Sequence, residues 1–227
     1  MVQELIDFSK EHFNIIIYFI ALTISIVNYR KYFDTVLKYF PALIAYTFFN
    51  ELLGYFIRYS DKFAFFEDVT FANDIIYNIY DLFYYGFFLW VFWKLATSPK
   101  LKKVIGVLAF AVVLGYLISL FFQDPFLISL YYATSLASFV LAIVILLHWI
   151  SRSHGFNWEW EKYNLLFWVS FGLFIFHLIF PFLFLTIYLN RGIAIKFEFH
   201  LIVRYIIVIM YLLFCIGFIT SRRRAFR

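Results

Sequence analysis

Seven apolar stretches, each long enough to cross a bilayer as a helix, run along this chain at about 13–29, 36–57, 74–96, 103–122, 126–149, 164–189 and 199–219. A hydrocarbon core about 30 Å thick takes ~20 residues of helix. Backbone N–H and C=O groups find no water there, so a spanning segment must be a helix or part of a closed barrel. None of the seven alternates apolar with polar residues as barrel strands do. The sequence therefore predicts an all-α membrane protein with seven transmembrane helices, a single domain over 1–227. Composition agrees: 65% of residues are apolar and 15% charged, against roughly 45–50% and about 25% in soluble domains. A soluble globule could not cover its surface with so few polar side chains. The one cysteine, Cys215, lies inside an apolar run, which excludes a disulfide scaffold.

Orientation is read from lysine and arginine, which collect on the cytoplasmic side. Arg30, Lys31 and Lys38 follow the first span, Lys94, Lys100, Lys102 and Lys103 follow the third, and Arg222, Arg223, Arg224 and Arg227 end the chain. The opposite side receives Glu4, Asp7 and Glu11, a 58–73 loop with Asp61, Glu67 and Asp68, and a minimal turn at Gln123-Asp124-Pro125. It also receives the 190–198 loop, where Arg191 and Lys196 face Glu198. The expected topology is N-terminus outside and C-terminus cytoplasmic. The first span is preceded by acids and followed by no small-residue cleavage site, so it is expected to stay in the mature protein. The +5 net charge is then a topology signal, pointing to the bilayer as partner and to no nucleic acid. Lys102, Lys103, Arg222, Arg223 and Arg224 are the candidate contacts for anionic lipid or a cytoplasmic partner.

Ionisable side chains inside lipid cost at least ~2.5–3.5 kcal/mol and so tend to face the bundle interior and act there. The second span holds Thr47, Asn50, Glu51, Gly54 and Arg58, and the third holds Asp74, Asn78, Asp81 and Tyr85, each set on one helical face. The sixth has Ser170, His177 and Pro181, and the seventh His200, Arg204, Tyr211 and Cys215. With a rise of ~1.5 Å per residue, Glu51, Asp81 and Arg204 all fall roughly 8–10 Å below the outer ends of their helices. That shared depth predicts a polar chamber open to the outer side. Asn50, Glu51, Tyr77, Asn78, Asp81, Tyr85, His177 and Arg204 are its candidate ligand-binding residues. Arg204 is placed to bridge the two carboxylates, and a carboxylate left unbridged could hold a proton. The competing reading is a structural polar clamp between helices. His148 and His154, near Trp149, Trp158 and Trp160, read as interfacial anchors. Thr134, Ser135 and Ser138 read as small packing residues, and Pro181 as a kink one turn beyond His177.

Several chemistries rank lower. A membrane-embedded zinc hydrolase needs three ligands, commonly with two histidines one turn apart, but Arg204 stands four residues after His200. No metal, no cofactor and no enzymatic activity are expected. A retinal protein needs a lysine in the middle of the seventh span, and none occurs there. Transporters built from repeats show paired broken helices in two halves, and no such repeat is visible. A proton- or ion-coupled carrier or an oligomeric pore stays as the alternative. Against it, Gly86-Phe87-Phe88-Leu89-Trp90 and Ile206-Ile207-Val208-Ile209 lie below Asp81 and Arg204, which predicts a dead-ended pocket.

Three stretches carry a resemblance: Phe49-Asn50-Glu51-Leu52-Leu53-Gly54-Tyr55, the run from Asn73 to Tyr85, and Phe167-Trp168-Val169-Ser170-Phe171-Gly172. In them the chain resembles a family of uncharacterised bacterial seven-helix inner-membrane proteins whose genes often lie near sensor kinases. The resemblance implies a signalling role with a sensor kinase or other membrane partner, and residence in the inner (plasma) membrane. A looser alternative is a membrane accessory of an antiviral system. The expected function is thus a sensor or receptor-like protein that binds a small ligand or proton from outside and signals through a partner.

Overall fold

The computed structural model describes residues 13–59, 73–152 and 158–222. The acidic N-terminal residues, most of the 58–73 loop, His154, Arg223, Arg224 and Arg227 lie outside the described residues. Among the described residues there is no strand. The helices are α1 (Phe13–Val27), α2 (Phe40–Tyr59), α3 (Asp74–Leu95), α4 (Pro99–Ser119) and α5 (Tyr131–Arg152), followed by short α6 (Trp158–Glu161), α7 (Leu165–Leu189), short α8 (Arg191–Lys196) and α9 (Phe199–Thr220). Six of them, α2 with its preceding single 3₁₀ turn, α3, α4, α5, α7 and α9, are long and apolar enough to cross a membrane, and α1 is a shorter apolar helix. The chain is a multi-pass helical bundle of the membrane type.

Helix neighbours define a closed ring in the order α1, α2, α3, α5, α7, α9 and back to α1, with α4 packed outside against α3 and α5. Close approach of α7 to α9 depends on small residues: a Cβ on Gly172 would sit 3.1 Å from the Met210 carbonyl oxygen, and one on Gly217 would sit 2.8 Å from the Trp168 Cβ. The outside of the ring is apolar, with Phe19, Phe83, Phe110, Phe182 and Leu212 all exposed. Thr47, Asn50, Asn78, Thr134, Ser138, Ser170 and His177 are buried within it. This inversion of the soluble pattern suits lipid as the surrounding solvent.

The two ends of the bundle differ. At one end meet the close of α1, the start of α2 and the close of α9, where the Lys31 ammonium donates to the carbonyls of Phe218 (3.2 Å) and Ile219 (2.8 Å) and caps the helix. Arg222 lies 4.0 Å over the Tyr163 ring, and its amide donates to the Tyr163 carbonyl at 3.0 Å. Lys102 sits 5.6 Å over Trp93, and Lys103 is exposed. The interior of this half is filled by Phe40, Phe88, Phe92, Phe214 and Phe218, each at most 1% exposed. Phe40 meets three of them, its ring 5.7 Å from Phe88, 5.2 Å from Phe214 and 5.6 Å from Phe218. At the opposite end meet the close of α2, the start of α3, the 120–130 segment and the close of α7.

Three sequence expectations change. The fourth span starts at Pro99, because Ser98 accepts the Leu101 amide at 3.1 Å and proline suits the first helical position. Lys100, Lys102 and Lys103 therefore stand on the helix's first turns, which hydropathy alone leaves out. The expected three-residue turn between the fourth and fifth spans is the longer segment 120–130, with Phe121 and Phe122 exposed. Its apolar residues read as helix, but Ser119 and the Tyr132 amide donate to Gln123 Oε1, and Asp124 accepts the Phe126 amide, which fixes an irregular path. His148 is not an interfacial anchor: it is 3% exposed and meets the Phe92 ring edge to face.

Candidate functional site

Helix α3 positions most of the site. Tyr77, Tyr80, Asp81, Tyr84 and Tyr85 recur at three- and four-residue steps, so they share the face that α3 turns into the ring. Thr47 and Glu51 come one turn apart on α2, and Phe176, Phe180 and Phe184 one turn apart on α7. These side chains, with Tyr18 of α1, Ser129 of the 120–130 segment and Ile207, Met210 and Tyr211 of α9, line a cavity of about 210 Å³. Six tyrosines, three phenylalanines and two carboxylates thus belong to its wall, and among the described residues no lysine, arginine or histidine does.

Local hydrogen bonds orient the polar groups. Tyr77 donates to Glu51 Oε2 at 3.2 Å. Thr134 donates to Asp81 Oδ2 at 2.8 Å, and its Oγ1 lies 3.4 Å from the Tyr116 hydroxyl. Thr47 and Tyr80 share a bond of 2.9 Å, and the Tyr18 and Tyr211 rings meet edge to face at 4.7 Å. Glu51 and Asp81 are half-buried, since part of each faces the cavity. At the end of the cavity that Ser129 lines, Ser129 donates to Asp74 Oδ1 and Asn73 donates to the Gly54 carbonyl at 3.2 Å, which ties the neighbouring segments to the helix ends.

Of the eight residues expected from sequence, Glu51, Tyr77, Asp81 and Tyr85 line the cavity together. His177 stands one layer behind: its Nε2 lies 3.1 Å from the Tyr84 hydroxyl and its Nδ1 2.7 Å from Ser138 Oγ, and it is fully buried. Asn78 is spent elsewhere, donating to the carbonyls of Pro125 (2.8 Å) and Ile128 (3.1 Å) and accepting the Leu130 amide (2.9 Å). It therefore holds the loop that carries Ser129. Asn50 is buried beside Glu51 but outside the wall. Arg204 is half-buried on α9 and outside the wall. The hydrogen bond on Asp81 comes instead from Thr134.

Sequence reasoning missed Tyr18, Tyr80, Tyr84, Ser129 and the three phenylalanines. The stripe Tyr77, Tyr80, Tyr84 was readable as a continuation of the α3 polar face. The phenylalanines were not, because α7 is apolar all round and offers no contrast. Thr134 and Ser138, expected only to pack, are buried and also hydrogen-bond Asp81 and His177. Helix α7 continues without interruption through Pro181.

A second pocket, of about 460 Å³, lies at the basic end between α5 and α7, lined by His148, Trp149, Arg152, Glu161, Asn164, Ser170 and apolar neighbours. Arg152 and Glu161 pair across it at 3.5 Å, and Trp149 donates to Ser170 at 3.1 Å. Among the described residues no group of three or more His, Cys, Asp or Glu side chains could hold a metal ion. Comparison with family models, with curated proteins and with solved structures finds no match.

Proposed function

We propose that this chain is a seven-helix membrane sensor. Its cavity, walled by Glu51, Asp81 and six tyrosines, takes a small ligand from the outer side, and a partner on the cytoplasmic side reads the occupancy. In this reading α1 completes seven spans, and the end carrying Lys31, Lys102, Lys103 and Arg222 faces the cytoplasm, as the placement of cations favours. The observation that carries the proposal is the contrast between halves. One half holds a cavity with two carboxylates on neighbouring helices, and the interior of the other is filled by Phe40, Phe88, Phe92, Phe214 and Phe218, its own pocket lying aside between α5 and α7. Carboxylates kept inside lipid are costly and are retained where they act.

Relay then runs through helices that touch the cavity and reach the basic end. Helices α3 and α9 do both, and Lys31 fastens the α9 terminus to the connection after α1. A ligand that binds two arrangements of these helices unequally shifts their balance by that difference. The short basic connections leave output to a partner, and a sensor kinase of the inner membrane is the kind that the sequence resemblance implies.

A carrier is the second reading. It is favoured by one observation, the pocket of about 460 Å³ on α5 and α7 at the opposite end. An apolar layer including Leu141, Ile145 and Leu173, each fully buried, separates the two. Reconstitution into liposomes separates the readings. A sensor leaves proton and solute gradients intact and co-purifies with a partner that Glu51→Gln plus Arg204→Gln uncouples. Gradient dissipation by the wild type that the same double variant stops would replace the sensor with a carrier. A double variant that signals like wild type would reduce the chamber to a packing device.

A further inference from the structure

We infer that the ligand of this cavity is a small organic cation of the substituted-ammonium type, held by tyrosine faces and by Asp81. The inference rests on the chamber reading above and adds its chemistry. Among the described residues that line the cavity, nine are aromatic and two are carboxylates, and none is basic. Aromatic faces are negative and draw a cation within about 6 Å of the ring centre, more strongly where water is excluded. Tyrosine is well suited to such a wall, because its hydroxyl can be tied to the protein while its face stays available. Tyr77 is tied to Glu51, Tyr80 to Thr47 and Tyr84 to His177.

Charge sets the sign. Glu51 and Asp81 place two carboxylates on the wall, and the hydrogen bonds they accept there come from the neutral hydroxyls of Tyr77 and Thr134. Carboxylates in a buried site call for a positive charge beside them. An anion would face two carboxylates, and an uncharged molecule would leave the Asp81 charge without a counter-charge. A bare metal ion is a poor fit, since its oxygen ligands would have to converge and the described residues form no such group.

Volume sets the size. A cavity of about 210 Å³ exceeds the ~150 Å³ that admits benzene, so a cation as small as choline fits within it. A methylated nitrogen suits the apolar part of the wall, where Phe176, Phe180 and Met210 offer no hydrogen-bond acceptor beyond a thioether.

The test uses the full-length protein in liposomes, with Thr47→Cys placed in the cavity wall and the native thiol removed by Cys215→Ala. Modification rates are measured with three methanethiosulfonate reagents: methyl (uncharged), trimethylammonium-ethyl (cationic) and sulfonatoethyl (anionic). Each is normalised to a reference thiol in open solution. The ratio of cationic to anionic rates is read because any change in thiol reactivity cancels in it. The expected result is a ratio at least tenfold above the reference, falling at least fivefold with Asp81→Asn, and slowing of the cationic reagent by millimolar choline but not by its uncharged isostere 3,3-dimethyl-1-butanol. A ratio equal to the reference, or equal protection by the isostere, overturns the cation inference while free entry of the methyl reagent keeps the chamber. Failure of the methyl reagent to enter overturns both. Ser129→Cys, also in the cavity wall, repeats the measurement if the position 47 variant does not fold.

Discussion

Asn78 accepts the Leu130 amide at 2.9 Å, and its own amide group bridges the Pro125 and Ile128 carbonyls at 2.8 and 3.1 Å. One helical side chain thereby closes three backbone groups of the 120–130 segment. Each such bond contributes about 1 kcal/mol, somewhat less in membrane bundles. Asn78→Ala is expected to destabilise the protein by about 2 kcal/mol. Asn78→Asp is expected to cost more, since its carboxylate would face two carbonyl oxygens. Denaturant unfolding in detergent gives the order of the three proteins, and an aspartate variant as stable as wild type would contradict this role.

Gly54 leaves room for the Tyr77 hydroxyl, which a Cβ at that position would strike. That hydroxyl is the flexible end of a side chain, so Gly54→Ala is expected to push it off Glu51 rather than to break the helix pair. A cost of about 1 kcal/mol follows from the lost hydrogen bond. In a Tyr77→Phe background the obstructing hydroxyl is gone, and the same substitution should cost clearly less. A double-mutant cycle by thermal unfolding measures the difference; full additivity would show that the methyl group meets something else.

His177 joins α5 to α3 through Ser138 on one ring nitrogen and Tyr84 on the other. Ser138→Ala and Tyr84→Phe should each destabilise by about 0.5–1.5 kcal/mol. Their effects should not add, because both act on one imidazole. Unfolding midpoints of the two single variants and the double variant check this. Tyr84→Phe alone should also alter entry of thiol reagents into the cavity, since Tyr84 forms part of its wall.

The helices were legible because lipid imposes length and apolarity on every crossing segment. Their ends were less so: Ser98 and Pro99 start α4 by capping chemistry that hydropathy does not register, and the apolar 120–130 segment imitates a span. Comparing depths found Glu51 and Asp81, which do share one wall. It misread Asn78, because a polar residue on an inward face can serve a loop as readily as a ligand. Arg204 was expected between the two carboxylates, yet it is not among the residues that line the cavity, and Asp81 takes its hydrogen bond from Thr134. Depth along a helix places a residue at a level but not at an angle, and the angle decides who meets whom. Phe176, Phe180 and Phe184 show the other limit, since on a uniformly apolar helix nothing marks the face that will line a cavity.

Side-specific labelling tests the central claim most directly. A Thr47→Cys, Cys215→Ala variant is placed in sealed membrane vesicles of either orientation and treated with the membrane-impermeant trimethylammonium-ethyl thiosulfonate. Modification in right-side-out vesicles only is the expected result, because the proposed topology turns the cavity outward and the phenylalanine layer lies between it and the basic end. Modification from the cytoplasmic face, or from neither, would contradict an outward-facing ligand chamber.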